Sequence, residues 1–202
     1  MTENIFEKFM IEEIKRSAQH PETFHELTNN FEKKLDEFNP TQNCMRIKEF
    51  FGVDMGQVNA TRALLQHQKI EENWLRDYST KKGNIKSDFK GLYVFLHDNT
   101  PFYIGISKGV IGRILQHVKG TNHNSAPLAY NIAVKQSEFL TKEKYLGSRN
   151  DFDFKKEAKP VQEFLLNQQI AFLNIENDEE LYLFEVYCSM KFSTDLNKFE
   201  TH

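Results

Sequence analysis

The chain has 202 residues, which suits one domain or two small ones, and its 18 phenylalanines provide ample apolar material for a core. Its formal net charge of −3 excludes a uniformly basic surface, so any contact with nucleic-acid phosphates needs a local basic patch. Cys44 and Cys188 stand apart, without a C-x-x-C motif or zinc-ligand spacing, which favours two reduced thiols.

Targeting and membrane signals are missing from the sequence pattern. The N-terminus lacks a basic start followed by an apolar run, so no signal peptide is predicted. No stretch approaches the roughly 20 apolar residues of a membrane span. We therefore expect a soluble, cytoplasmic protein that does not bind a membrane.

The first 82 residues are predicted to form an all-helical region. Apolar residues recur at helical spacing in residues 3–19 and again in a narrow seam that ends at Asn39-Pro40. That seam consists of Phe24, Leu27, Phe31, Leu35 and Phe38. Further helices are predicted near 42–51 and over 57–78. Packing within the chain is the preferred interpretation of these seams, and packing against another subunit is the alternative.

The polar stretch 79–84 predicts a linker, and residues 83–202 are expected to form a second domain. Residues 91–96 and 102–106 predict two strands of a hairpin, because the turn residues 98–101 lie between two apolar runs. Helices are predicted at 110–119 and 127–135, a third strand at 169–175, and a last helix with Asp178 as its N-cap. A lysine-rich, irregular insertion is predicted around 136–165. The fold class is therefore α/β (α+β), with a three-stranded antiparallel sheet flanked by helices.

A group of reactive side chains follows this hairpin. Tyr93 and Tyr103 lie on the two paired strands, and Arg113 and His117 are four residues apart on one helical face. Glu185 interrupts an apolar helix, where a lone carboxylate needs a partner such as a metal ion. Taken singly, each residue has an ordinary structural explanation, such as a tyrosine at the edge of a core. Together they supply the proton carriers, the cation and the carboxylate that phosphodiester hydrolysis requires.

The order and spacing of these residues resemble those of the GIY-YIG nuclease superfamily. The segments G-L-Y at 91–93 and Y-I-G at 103–105 match its two signature strands, and Arg113 follows Tyr103 by ten residues. In this superfamily a His or Tyr often lies one turn after that arginine, where this chain has His117. Residues 120–126 are similar to the branch that contains restriction-type members.

The resemblance extends over about residues 88–200 and implies roles for individual residues. A metal-binding glutamate and an asparagine about a dozen residues later match Glu185 and Asn197. The 72 residues between Arg113 and Glu185 are many for this family, and the proline often found before the asparagine is absent. The implied activity is metal-dependent endonuclease cleavage of DNA with Mg²⁺ or Mn²⁺.

The resemblance also assigns each residue its part in the reaction. Tyr93 and His117 handle protons, Tyr103 and Arg113 hold the scissile phosphate, Glu185 binds the metal, and Asn197 steadies the metal or nearby side chains. Nucleic-acid contacts are expected from Lys108, Lys119 and His123.

Two alternatives stand beside the DNA endonuclease. The first is a catalytically inactive GIY-YIG scaffold that binds DNA or protein, which the acidic net charge favours. The second is cleavage of RNA. A homodimer would make two nicks on opposite strands easiest, and the seam at 24–38 offers one surface for it.

Overall fold

The structure, a computed structural model, describes residues 8–12, 15, 24–51, 70, 72–79, 85–197 and 199. It is a mixed α/β fold with antiparallel sheets. The helices are α1 (Phe24–Thr28), α2 (Phe31–Phe38), α3 (Ile47–Phe51), α4 (Val110–Lys119), α5 (Pro127–Thr141), α6 (Phe154–Leu166) and α7 (Asp178–Lys191), with one 3-10 turn at Glu72–Trp74. The strands are β1 (Met45–Arg46), β2 (Arg76–Ser79), β3 (Ile85–Asp88), β4 (Gly91–His97), β5 (Thr100–Ser107) and β6 (Gln169–Asn174).

Strands β4 and β5 form the predicted hairpin. Asp98 and Asn99 connect them with positive φ angles of 46° and 62°, which a tight two-residue hairpin turn requires and which these two residue types tolerate. The register pairs Tyr93 with Gly105 and Phe95 with Tyr103. Because side chains alternate between the faces of a strand, both tyrosines lie on the same face of the sheet.

Both faces of β4 are covered, which explains why residues 91–96 are buried without interruption. On one face Tyr93 and Phe95 pack with residues of α3, α4, α5 and α6. On the other face Leu92 and Val94 pack with α2 and α7. The tyrosines therefore share their face with α4, which carries Arg113, while α7 lies on the opposite side.

The predicted three-stranded sheet is wrong by one strand. In the described part of the chain the main sheet has the order β1–β6–β4–β5, and β2 and β3 form a separate two-stranded sheet. Met45 of β1 pairs with Ile170 of β6. A strand of two residues is too short to show an alternating pattern, so no sequence signal predicts it. The third predicted strand is confirmed as β6.

The all-helical prediction for residues 1–82 is also wrong. Strands β1 and β2 both lie in this range, and residues 72–79 form a 3-10 turn and a strand where a helix over 57–78 was expected. The rest of that helix, 57–69 and 71, lies outside the described residues, as does the predicted linker apart from Ser79. In the first predicted helix, residues 8–12 and 15 are described and are helical.

The apolar seam at 24–38 packs within the chain, as preferred. Phe31, Leu35 and Phe38 are buried against α7, and the ring of Phe31 lies 5.1 Å from that of Phe184, centroid to centroid. An ion pair between Lys34 and Glu180 joins the same two helices. Most of the seam is therefore not available as a dimer surface.

The region 136–165 is mostly helical, which corrects the prediction of an irregular insertion. Helix α5 continues to Thr141 and α6 occupies Phe154–Leu166, so the irregular part between them is short. Ala158, Val161 and Leu165 are buried at helical spacing in α6. The high lysine content of the segment concealed this spacing. The N-cap of helix α7 is Asn177, one residue before the predicted cap Asp178, because the Asn177 side chain accepts the hydrogen bond from the Glu180 amide.

No helix within the described ranges has the length and apolar character needed to cross a membrane.

Candidate active site

The two tyrosines on the hairpin form the centre of the site. Their ring centroids lie 6.2 Å apart. The Tyr93 ring lies directly over Gly105 of the neighbouring strand, since a Cβ atom built at Gly105 would approach the Tyr93 hydroxyl to 2.4 Å. Any side chain at this position would collide with Tyr93, so the glycine of the Y-I-G segment is needed to let the tyrosine lie flat across β5.

His117 lies beside Tyr93 on helix α4. Its Nε2 atom is 2.8 Å from the Tyr93 hydroxyl, and the two residues are 0% and 1% exposed. Burial, together with the charge of Arg113, lowers the pKa of His117 from 6.5 to about 3, so the imidazole is neutral at physiological pH. Burial raises the pKa of Tyr93 well above its ordinary value. The His117 Nδ1 atom has no hydrogen-bond partner among the described residues.

Helix α4 is fixed in place by Asp88 at the end of β3. This carboxylate is 2% exposed, and its two oxygens accept hydrogen bonds from the amides of Ile111 and Gly112, both at 2.9 Å. A carboxylate at a helix N-terminus satisfies free amides and interacts favourably with the helix dipole. Asp88 was not predicted, because no sequence pattern links an aspartate to a helix more than 20 residues later.

Arg113 places a cation next to the tyrosines. Its guanidinium donates hydrogen bonds to Gln116 Oε1 at 3.1 Å and to the Ser125 carbonyl at 3.4 Å, and it has no carboxylate partner within the described part of the chain. The positive charge opposes the burial effects that raise the pKa values of Tyr93 and Tyr103. A guanidinium held by neutral acceptors keeps its charge available for an anion.

Glu185 comes to the site from α7, on the opposite side of the sheet. Helix α7 contacts the edge strand β5, and the negative charge of Glu185 raises the pKa of Tyr103. Burial raises the pKa of Glu185 itself from 4.5 to about 7. Over the residues that the structure describes, its carboxylate has no hydrogen bond or ion pair. The structure therefore brings Glu185 into electrostatic contact with Tyr103.

A single divalent cation fits this carboxylate. No group of three or more His, Cys, Asp or Glu residues that could hold a metal is found within the described ranges. Magnesium, however, is often held by one or two carboxylates, with water and substrate phosphates as its other ligands. Glu185 is a partly buried carboxylate that lacks a cation, which suits a site of this kind.

Asn197 lies beside the edge strand β5. Its side chain binds the backbone of Ile104 in β5, donating to the carbonyl at 2.7 Å and accepting from the amide at 2.9 Å. The Thr194 hydroxyl also donates to Asn197 Oδ1, at 3.0 Å. Asn197 therefore closes the open edge of the hairpin next to Tyr103, and its oxygen already has two donors. It holds the strand and not a neighbouring side chain of the site.

A cavity of ≈410 Å³, the α4 cleft, opens at the N-terminal end of helix α4. Its basic lining residues are Arg76, Lys90, Lys108 and Arg113. Lys90 pairs with Asp178 at 3.3 Å and Arg76 with Glu176 at 3.8 Å, whereas Lys108 and Arg113 have no carboxylate partner among the described residues. The cleft thus holds two cations without a described carboxylate partner, beside Asp88, whose carboxylate already caps the N-terminus of α4.

The three predicted nucleic-acid contacts fall in different places. Lys108 shares the α4 cleft with Arg113. Lys119 lines a separate cavity at the other end of α4. His123 packs against the ring of Tyr130, with centroids 5.9 Å apart, and lines neither cavity.

Comparison of the chain with protein-family models, with curated proteins and with solved structures returned no match.

Proposed function

We propose that this protein is a metal-dependent endonuclease of the GIY-YIG type that hydrolyses phosphodiester bonds in DNA. The observation that carries the proposal is the buried pair of Tyr93 and His117 next to Arg113, whose charge has no carboxylate partner in the described residues. The proposal is supported by the pKa of Tyr103, which responds to Tyr93, Arg113 and Glu185, although the sequence separates these groups by up to 92 residues.

The α4 cleft receives the sugar-phosphate backbone. Lys108 attracts the strand, and the guanidinium fork of Arg113 binds two oxygens of the scissile phosphate. As the phosphorus becomes five-coordinate and negative charge grows on these oxygens, the fixed guanidinium stabilises the transition state more than the bound substrate. The Tyr103 hydroxyl lies beside the same phosphate and donates to it.

Proton transfer runs through Tyr93. The attacking water gives its proton to the Tyr93 oxygen while the Tyr93 proton passes to His117 Nε2, in the tautomer whose Nε2 is unprotonated. The resulting hydroxide bonds to phosphorus, the P–O bond to the leaving sugar oxygen breaks, and that oxygen takes a proton from solvent water. Without a bound phosphate this transfer is unfavourable, because burial and Arg113 hold the pKa of His117 at about 3. A bound phosphate offsets the charge of Arg113, so the substrate itself makes His117 a better base.

Glu185 would hold the Mg²⁺ or Mn²⁺ ion. When bound, such an ion supplies positive charge to the phosphate and to the leaving oxygen. Only the ionised carboxylate binds a cation. Because the pKa of Glu185 is raised to about 7, binding of a cation near neutral pH releases the proton of this carboxyl group.

The experiment combines plasmid cleavage with a matched pair of arginine variants. Supercoiled plasmid is incubated with the protein in Mg²⁺ or in EDTA, and nicked and linear products are quantified. We expect cleavage that requires the metal, and a loss of at least about 100-fold in Arg113→Ala, as is typical when one donor to a transition state is removed. Arg149→Ala, in which an exposed arginine near the ring of Tyr130 is removed, should cleave normally. Full activity in Arg113→Ala with an unchanged melting temperature would contradict the assignment.

A non-catalytic binding module is the second candidate. It is favoured by the near-complete burial of Tyr93 and His117, which also suits a purely structural pair, and by the acidic net charge. A gel shift of the plasmid without metal-dependent cleavage supports this candidate. Repeating the assay with RNA of the same sequence identifies the preferred substrate.

A further inference from the structure

A second cavity lies at the C-terminal end of helix α4, on the side covered by α6. Its volume is ≈490 Å³, within the range of small-molecule sites. It is separate from the α4 cleft and has no lining residue in common with it. Its lining includes the lysines Lys119, Lys155 and Lys159 and the apolar residues Val118, Phe154 and Leu166. We call it the lysine cavity.

The charges of this cavity are not balanced within the protein. Glu163 is the one carboxylate in the lining, and none of the three lysines has an ion pair among the described residues. Lys155 lies in the first turn of α6, where the helix dipole makes a cation unfavourable and where the Asp153 carboxylate caps the helix. By contrast, Lys156 on the same turn pairs with Glu157 at 3.1 Å. The three lysines make this cavity attractive to an anion.

The floor of the cavity suits an apolar ring. Val118 and Phe154 are largely buried and present an apolar base beneath the lysine stems. Beside them, the Gln162 Nε2 atom donates to the Gly120 carbonyl at 2.8 Å. Its Oε1 atom has no hydrogen bond in the described part of the chain, so it is available to accept one from a ligand. An anion site above an apolar surface with a polar edge matches a nucleotide more closely than a bare phosphate.

We propose that the lysine cavity binds one nucleotide of the substrate strand, at a fixed distance from the cleaved bond. The lysines hold its phosphate and the apolar floor holds its sugar or base. Arg113 and Lys119 are six residues apart on α4, or about 9 Å along the helix axis, which corresponds to two or three phosphates of a strand. This inference rests on the proposed function, because the scissile phosphate is the point from which the distance is counted.

The first test removes the three charges and measures the salt dependence of binding. Fluorescence anisotropy of a labelled 20-nucleotide DNA in Ca²⁺ is recorded from 50 to 200 mM KCl. The variant K119Q/K155Q/K159Q should bind at least about tenfold more weakly, with a log–log salt slope that is smaller by about 1, since the one phosphate contact that is lost contributes about 0.7 to 0.9. The control K33Q/K48Q/K144Q removes the same net charge at exposed lysines elsewhere and should leave the slope nearly unchanged.

The second test separates a nucleotide from a phosphate. Deoxyadenosine monophosphate and inorganic phosphate are titrated separately into ¹⁵N-labelled wild-type protein, and the amide signals of Gly120 and Thr121 are followed by NMR. The nucleotide should shift them at a concentration at least about tenfold lower than phosphate does. Equal effects of the two anions would overturn the nucleotide assignment.

The two proposals fail in different ways. If plasmid is cleaved but both triple variants bind DNA alike, the lysine cavity is not a substrate site and the endonuclease proposal stands. If plasmid is never cleaved but K119Q/K155Q/K159Q alone loses affinity, the cavity binds nucleic acid and the catalytic proposal is wrong. If the wild type binds no DNA under any condition, both are overturned.

Discussion

The substitution Glu185→Gln tests the site through stability as well as through activity. The Glu185 carboxylate is partly buried and has no hydrogen bond or ion pair within the described residues, and burial alone raises its pKa from 4.5 to about 7. Glutamine has the same shape and carries no charge. The variant should therefore lose cleavage while the folded protein becomes more stable at neutral and alkaline pH.

The size of this gain follows from the pKa. Between pH 4.5 and about 7 the unfolded chain has lost the Glu185 proton, whereas the folded protein still holds it. The folded state therefore binds more protons at this position, and its stability relative to the glutamine variant falls by about 1.4 kcal/mol for each pH unit. The difference reaches about 3 kcal/mol above pH 7 and disappears below pH 4.5.

Urea unfolding followed by circular dichroism measures this difference. Wild type and Glu185→Gln are compared in EDTA at pH 5, 6, 7 and 8, with Glu143→Gln as a control that removes an exposed carboxylate. Mg²⁺ is then added at about ten times its dissociation constant, which should stabilise the wild type by about 1.4 kcal/mol and leave Glu185→Gln unchanged.

Two results would refute this reasoning. A stability difference that is the same at pH 5 and pH 8 would show that Glu185 does not lose its hydration on folding. Metal-dependent cleavage by Glu185→Gln at the wild-type rate would show that another group holds the metal.

Three further substitutions test how the site is supported. Gly105→Ala should destabilise the fold by about 1–3 kcal/mol and reduce cleavage, because the new methyl group displaces the Tyr93 ring. In the control Gly147→Ala the methyl group meets only the hydroxyl end of the partly exposed Tyr145, so its melting temperature should be nearly unchanged. Asp88→Asn should lower the free energy of unfolding by about 1–2 kcal/mol through the loss of a charged helix cap, and an unchanged urea midpoint would contradict that capping role. Asn197→Ala should destabilise the protein by about 1–3 kcal/mol while any remaining cleavage keeps its Mg²⁺ dependence; a shifted Mg²⁺ requirement at unchanged stability would instead make it part of the metal site.

The elements that the sequence predicted correctly are those with local signals. The hairpin has two apolar runs around Asp98-Asn99, and helix α4 has an unbroken apolar arc, so both could be predicted from neighbouring residues. The prediction for residues 154–166 was wrong because lysines between the buried positions hid the helical period. Strand β1 was not predicted because two residues are too few to show a periodic pattern. Its pairing with β6 also depends on residues more than 120 positions away.

The same division applies to the site. Tyr93, Arg113 and His117 come from adjacent elements, so their proximity followed from the hairpin and the first turns of the next helix. Asp88 acts on backbone amides of a later helix, and Asn197 acts on the backbone of β5. Such contacts depend on tertiary structure alone. The sequence could therefore suggest the chemical groups of the site but not the groups that hold them in position.

The protonation states of the site explain why the proposed reaction needs both a DNA phosphate and a metal ion. Without a bound phosphate or metal, Tyr93 keeps its proton and His117 is neutral, while Glu185, with its pKa raised to about 7, titrates near neutral pH. Arg113 then retains a charge that no carboxylate in the described residues offsets. A phosphate bound at Arg113 favours a proton on His117, and a cation bound at Glu185 offsets the phosphate's own charge. Each ligand lowers the electrostatic cost of binding the other, so the affinities for DNA and for Mg²⁺ should be positively coupled.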